Sequence, residues 1–263
     1  NLEKIMVEIV GNIDVAQVVL YAFWIFFAGL IWYLQAESRR EGYPLESDVK
    51  GEYNKDPFIS LPTPKTFLLP HGKGTKTYPN PENRDTRPIA ARRASPVAGS
   101  PLVPTGNPLK DGVGPGAWAE RPNYPDLDPH GDPAIRPMRL LKDFKIAARD
   151  TKPVGLSVIA ADGQVAGEVS EVWVDHMESV IRYYQVTSGR RSFLVPQHFA
   201  LLRNKLRGGG KEFYVHALIS EQFKDIPKTA SDDQITMLEE EKIQAYFGGG
   251  MLYATPDRQE PLL

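Results

Sequence analysis

The chain has 263 residues, 41% of them hydrophobic and 24% charged, with 31 basic against 33 acidic side chains, five histidines and no cysteine. That length suits one large or two small domains. Lack of cysteine excludes disulfide frameworks, thiol catalysis, Cys-ligated zinc and iron–sulfur clusters. A formal net charge of -2 provides no global attraction to nucleic acid.

In chain order, the first element is the run VAQVVLYAFWIFFAGLIWYL from Val15 to Leu34, in which Gln17 is the only strongly polar side chain. A helix of that length spans about 30 Å, the thickness of a bilayer hydrocarbon core. A signal peptide would have a shorter apolar region, a basic leading side and a small-residue exit. Here Glu3, Glu8 and Asp14 precede the run against Lys4, and Ile31, Trp32 and Tyr33 close it. The reading is therefore a retained transmembrane helix. Arg39, Arg40 and Lys50 follow it, which predicts a cytoplasmic C-terminal side. Trp32 and Tyr33, with Tyr43, fit an interfacial aromatic belt. Ala22, Ala28 and Gly29 are either a helix-contact stripe or lipid-facing filler. No second apolar run of comparable length occurs, so the chain reads as single-pass.

Residues 57–137 hold 17 of the 23 prolines, a density that forbids long helices. Phe58, Phe67, Leu68, Leu69, Ile89, Leu102, Val103 and Trp118 are too apolar for a solvated tether, so this segment reads as extended chain laid on a surface. From about residue 153, short β-type runs alternate with turn signals: VGLSVIA, VAGEVSEVWVD, VIRYYQVT, SFLVP, FALLRNKL and EFYVHAL. They predict a small antiparallel barrel or sandwich. A helix then follows, with Ser231 as its cap, Gln234 completing a capping box and Gly248 as terminator. Ile235, Leu238, Ile243, Tyr246 and Phe247 form its apolar face, and the Glu239–Glu241 run is expected in solvent.

No phosphate loop, nucleophile elbow or zinc-protease pair is present. Two clusters of titratable groups are. Asp126, Asp128, His130 and Asp132 share the loop LDPHGDP, where carboxylates and imidazole are able to bind a metal, relay protons, or simply be hydrated. Asp175, His176 and Glu178 lie at the turn WVDHMES, with Arg182 close behind. Glu178 is either solvated or, if covered, a carboxylate balanced between desolvation and Arg182.

Five collinear blocks carry a resemblance: REGYPL (40–45), LPTPKTFLLPHGKGT (61–75), PTGNPLKDGVGPGAW (104–118), AGEVSEVWVD (166–175) and MLEEEKIQAYFGGGMLYA (237–254). In that order, behind one N-terminal helix, they resemble the H subunit of the photosynthetic reaction centre of purple bacteria. The resemblance implies a periplasmic segment over 1–12 and a transmembrane helix over 13–36. An extended cytoplasmic segment over 37–136 would pack on partners, and a mainly-β domain of the PRC-barrel type would fill 137–263. It implies partnership with the L and M subunits, in a wider assembly with a cytochrome subunit, light-harvesting antenna and membrane lipids of the intracytoplasmic (chromatophore) membrane. Bacteriochlorophyll, bacteriopheophytin, carotenoid, two quinones and non-haem iron would belong to L and M, with no cofactor, metal or catalytic residue on this chain.

The resemblance further implies a cap over the quinone side that conducts protons to the secondary quinone. Asp128 and His130 would take protons in, with Asp126 and Asp132 nearby. Glu178 would stand near the quinone, with Asp175 beside it in the route and Arg182 tuning it. Two departures stand out. Asp132 occupies a position where the best-known pattern has a second histidine, and His176–Met177 replace an apolar–Pro pair before Glu178. A membrane-tethered barrel adaptor outside the electron-transfer complex is the alternative, and a hydrolase built on the Asp/His loop a third reading.

Overall fold

The computed structural model describes residues 8–10, 13–43, 45, 61–80, 85–205 and 208–259. Of the side chains named above, Glu3, Lys4, Glu8, Lys50 and Phe58 lie outside the described ones. The chain divides into two units, Asn1–Arg84 and Asp85–Leu263.

In the first unit, strands β1 (Glu8–Val10) and β2 (Ile13–Asp14) pair antiparallel and lead into helix α1 (Val15–Glu37). Asp14 caps the helix, its Oδ1 accepting from the Gln17 backbone N–H at 2.7 Å, which satisfies one of the orphan donors of the first turn. No residue of α1 is buried within the chain. A helix apolar all round that its own chain leaves uncovered requires lipid or another helix around it, and α1 is long and apolar enough to cross a bilayer.

Beyond the helix, Arg40 Nε and Nη2 donate to the two Glu37 carboxylate oxygens at 2.8 and 2.7 Å. Its Nη1 donates to the Thr63 and Tyr78 carbonyls at 2.9 and 3.1 Å. Lys65 Nζ adds contacts of 3.2 Å to both Glu37 oxygens. This knot fastens the hairpin of β3 (Lys65–Leu68) and β4 (Thr75–Tyr78) to the helix end. Trp32 and Tyr33 are exposed, and the Arg39 guanidinium lies 5.1 Å from the Tyr43 ring centre.

The second unit opens with the hairpin β5 (Ala91–Arg93) and β6 (Leu102–Pro104), the single-turn helix α2 (Pro108–Asp111) and the short strand β7 (Ile135–Pro137). The main sheet follows: β8 (Ser157–Ala160), β9 (Val165–Asp175), β10 (Val180–Ser188), β11 (Arg191–Pro196), β12 (Ala200–Asn204) and β13 (Lys211–Val215). Each matches an apolar run seen in the sequence. The order is β11-β10-β9-β8-β13-β12, with β7 added on β9. One pair departs from the expected antiparallel pattern: β13 runs parallel to β8, with Tyr214 opposite Ile159. The strands between them supply the long crossover that a parallel pair requires.

Strand β9 is the hub. It pairs with β10 over most of its length, with β8 near its start (Ser157 opposite Glu168) and with β7 at its end (Ile135 opposite Asp175). Its last four residues, Val172 to Asp175, are all buried, so both faces are covered there and strict alternation ends.

Helix α3 (Met237–Tyr253) differs from expectation at both ends. Thr236, not Ser231, is the cap, and its partner in the capping box is Glu239: Glu239 N–H donates to Thr236 Oγ1 at 3.1 Å and Thr236 N–H to Glu239 Oε2 at 2.9 Å. Ser231 closes a small turn instead, accepting from Asp233 N–H at 3.1 Å. Gly248 does not terminate the helix, because Gly248–Gly250 are helical and crossed closely by other chain. A Cβ on Gly249 would stand 2.9 Å from Gly116 Cα, and one on Gly250 would strike the Ala217 carbonyl and lie 2.6 Å from Leu218 Cδ2. The glycines cost helix propensity but let the helix press into the domain. Ile243, Tyr246 and Phe247 thereby join Trp173, Tyr183, Leu218 and Phe223 in one core.

Gly250→Ala is accordingly expected to destabilise the chain by about 1–3 kcal/mol through overpacking. Urea unfolding of the detergent-solubilised chain, followed by tryptophan fluorescence, measures it; an unchanged midpoint would show that the close crossing carries no constraint.

Candidate functional site

The β7–β9 pairing brings the two titratable clusters together. The loop before β7 is a compact turn in which Leu127 and Pro133 bridge and Asp128 N–H donates to the Asp132 carbonyl at 2.8 Å. Asp128 is buried at its centre. Its Oδ1 accepts from the backbone N–H groups of His130 and Asp132 at 2.8 and 2.9 Å. Burial pushes the Asp128 carboxyl upward. The two N–H donors and the nearby imidazoles of His130 and His176 outweigh it, and the group settles below the ordinary aspartate range. His130, Asp126 and Asp132 stand exposed around it. Among the described residues no group of three or more His, Asp or Glu side chains is arranged to hold a metal ion.

The turn after β9 faces this loop. His176 N–H donates to the Ala134 carbonyl at 3.1 Å. Its ring Nε2 lies 3.2 Å from the Pro133 carbonyl and 3.8 Å from Asp128 Oδ2. A carbonyl only accepts, so Nε2 carries a proton. The residue that departs from the resembled pattern is thus the link between the clusters.

Asp175 is also buried. Its Oδ1 accepts from Met177 and Glu178 N–H at 3.1 and 3.2 Å, while Arg182 Nε lies 3.4 Å from Oδ2. Proline at 177 would lack the first of those donors, so Met177 adds a tie to the turn rather than loosening it. Glu178 is exposed, with Arg182 Nη2 3.8 Å from its Oε2.

A deeper layer escaped the sequence reading. Glu240, expected in solvent, is partly buried and accepts from the Tyr183 hydroxyl at 2.9 Å; Gln244 Nε2 donates to that same hydroxyl at 3.2 Å. Burial raises the Glu240 carboxyl, opposed by the Tyr183 hydrogen bond and the Arg182 charge, and Asp126 and Asp175 add to the rise. Burial and then Glu240 hold the Tyr183 phenol above its ordinary range. His198 is lowered, by burial first and then by Arg182. The available signal was Tyr183 itself: a tyrosine at an inward strand position needs a polar partner.

The whole is a string of carboxylates and an imidazole, graded from exposed to buried, around one arginine. A family model described as photosynthetic reaction centre, H-chain N-terminal region matches residues 7–140, and a PRC-barrel domain model matches residues 146–221. The chain belongs to the reaction-centre H-chain family. Membership implies association with the L and M subunits. The mainly-β sheet is the PRC-barrel domain of this H chain, and α1 is compatible with a single-pass anchor.

Glu240 gives this H chain a pH signature. Its folded pKa lies above the unfolded value, so its contribution to stability is full below the usual glutamate pKa and is lost as pH rises through the folded value. Glu240→Gln keeps an acceptor for Tyr183 and removes the titration. Compared by urea unfolding at about pH 5 and about pH 8, the variant should gain on the parent as pH rises; a constant difference would place Glu240 in solvent.

Proposed function

We propose that this chain is a non-enzymatic subunit that caps the L/M core on the cytoplasmic side and passes protons inward from bulk water. The observation that carries the reading is the apposition of Asp128, His176, Asp175, Arg182 and Glu178 by the β7–β9 and β9–β10 pairings. In this reading the N-terminus is periplasmic, α1 crosses the chromatophore membrane among lipids, and Arg39, Trp32 and Tyr33 mark the interface. The proline-rich segment 37–136 lies over L and M, and the assembly extends to a cytochrome subunit and antenna. Pigments, quinones and iron are held by L and M. Their secondary quinone supplies the electron-accepting chemistry, which demands protons because charge in a low-dielectric site is costly.

This chain's residues do the following. His130, Asp126 and Asp132 collect protons at the exposed loop. Asp128, kept anionic by its own loop's N–H groups, holds the proton-bearing imidazole of His176 in place. Water bridges spacings beyond direct hydrogen bonding. Asp175 fixes the turn and orients Arg182, which keeps Glu178 available as the last carrier. Glu178 requires cover by the L/M core to act, since alone it is exposed.

In the assembled complex, Glu178→Gln should slow flash-induced proton uptake and the second electron transfer by at least about tenfold while leaving the first electron transfer unchanged. Unaltered uptake would remove Glu178 from the route.

A further inference from the structure

A second polar site, outside the acid cluster, lies where the β10–β11 hairpin meets residues 228–232. It is an open cleft of about 430 Å³, the size of a small-molecule site. Three cations line it, Arg190, Arg191 and Lys228, against one carboxylate, Asp232. The local balance of charge is therefore positive in a chain whose formal net charge is -2. Among the described residues no ion pair or hydrogen bond joins Asp232 to any of the three cations, so the cations outnumber it without being locked to it.

One donor of the lining is left unsatisfied. Arg191 donates through Nη2 to the Ile226 carbonyl at 3.2 Å, but its Nε is buried with no hydrogen-bond partner, an expensive condition for a charged donor. Below it a fixed chain runs from Trp173 Nε1–H to Gln185 Oε1 at 2.9 Å and from Gln185 Nε2 to Ser192 Oγ at 2.9 Å. Ser192 Oγ is thus used as an acceptor from behind, which leaves its own O–H to donate into the cleft. Thr229 adds a second hydroxyl. The two hydroxyls share the lining with the three cations, and that of Ser192 is held by Gln185.

We infer that this cleft binds a phosphate group, presented by a small soluble phosphorylated compound or by the headgroup of a phosphomonoester lipid. A tetrahedral anion offers oxygens in several directions and so meets guanidinium, ammonium and hydroxyl donors at once, whereas a carboxylate offers two in one plane. The site is independent of the proton route.

Calorimetry on the detergent-solubilised complex, in a phosphate-free detergent, tests it with inorganic phosphate, dihexanoyl phosphatidic acid and acetate as probes. Inorganic phosphate should bind saturably and acetate should not. Tighter binding of the lipid than of inorganic phosphate assigns the headgroup as the source; the reverse order assigns a soluble ligand. Arg191→Gln and Lys228→Gln should each weaken phosphate binding by at least about tenfold, and Arg149→Gln, which removes an exposed charge outside the cleft, should leave it unchanged. Lys228 is exposed, so its variant keeps the test open if Arg191→Gln fails to fold. No saturable phosphate binding, acetate binding as tight as phosphate, or equal loss in all three variants would overturn the inference.

Discussion

Three residue pairs between β7 and the end of β9 hold the functional region together. Without them the LDPHGDP loop would hang from a proline-rich stretch with no fixed relation to the barrel. With them, Ile135 lies opposite Asp175, the Ala134 carbonyl receives His176 N–H, and Asp128 comes within 3.8 Å of the His176 ring. The strand is short, but it joins a β9 segment buried on both faces, where its hydrogen bonds are shielded from competing water. Register matters here, since a one-residue slip of β7 along β9 would turn Ile135 to the opposite face.

Arg182 is the electrostatic counterpart of that backbone constraint. One guanidinium reaches Asp175 and Glu178, and its charge is felt by Glu240, Tyr183 and His198. It favours ionised carboxylates and neutral imidazole alike, and so opposes the burial that would hold Glu240 protonated. Asp128 resists protonation by a different means, two backbone N–H donors. The region thus holds acids on either side of the ordinary carboxylate range, the arrangement that the proposed function requires.

Much of this architecture was legible in the sequence. The β-type runs from residue 153 correspond to β8–β13 because alternation and turn residues are local signals. The N-terminal apolar helix was legible for the same reason: its run of twenty nearly uninterrupted apolar positions, Val15 to Leu34, is a local signal. What was hidden is non-local. The parallel β8–β13 pair joins strands some fifty residues apart, and no local pattern encodes it. Ser231 resembled a cap because two capping signals lie five residues apart, and the one at Thr236–Glu239 won by completing both hydrogen bonds. Gly248–Gly250 resembled a stop because propensity disfavours glycine in helices, whereas close crossing by residues 115–116 and 217 demands it. Glu240 resembled solvated surface because its partner, Tyr183, is 57 residues away. Both titratable clusters were legible as clusters; that they adjoin through His176 was not.

The central claim is that the two clusters form one route. It is tested most directly by flash-induced proton uptake in complexes carrying Asp128→Asn, Glu178→Gln and both together. Steps in series are limited by the slower one, so the double variant should be about as slow as the slower single variant. Slowing of the double variant by the product of the two single effects, the mark of independent sites, would contradict it.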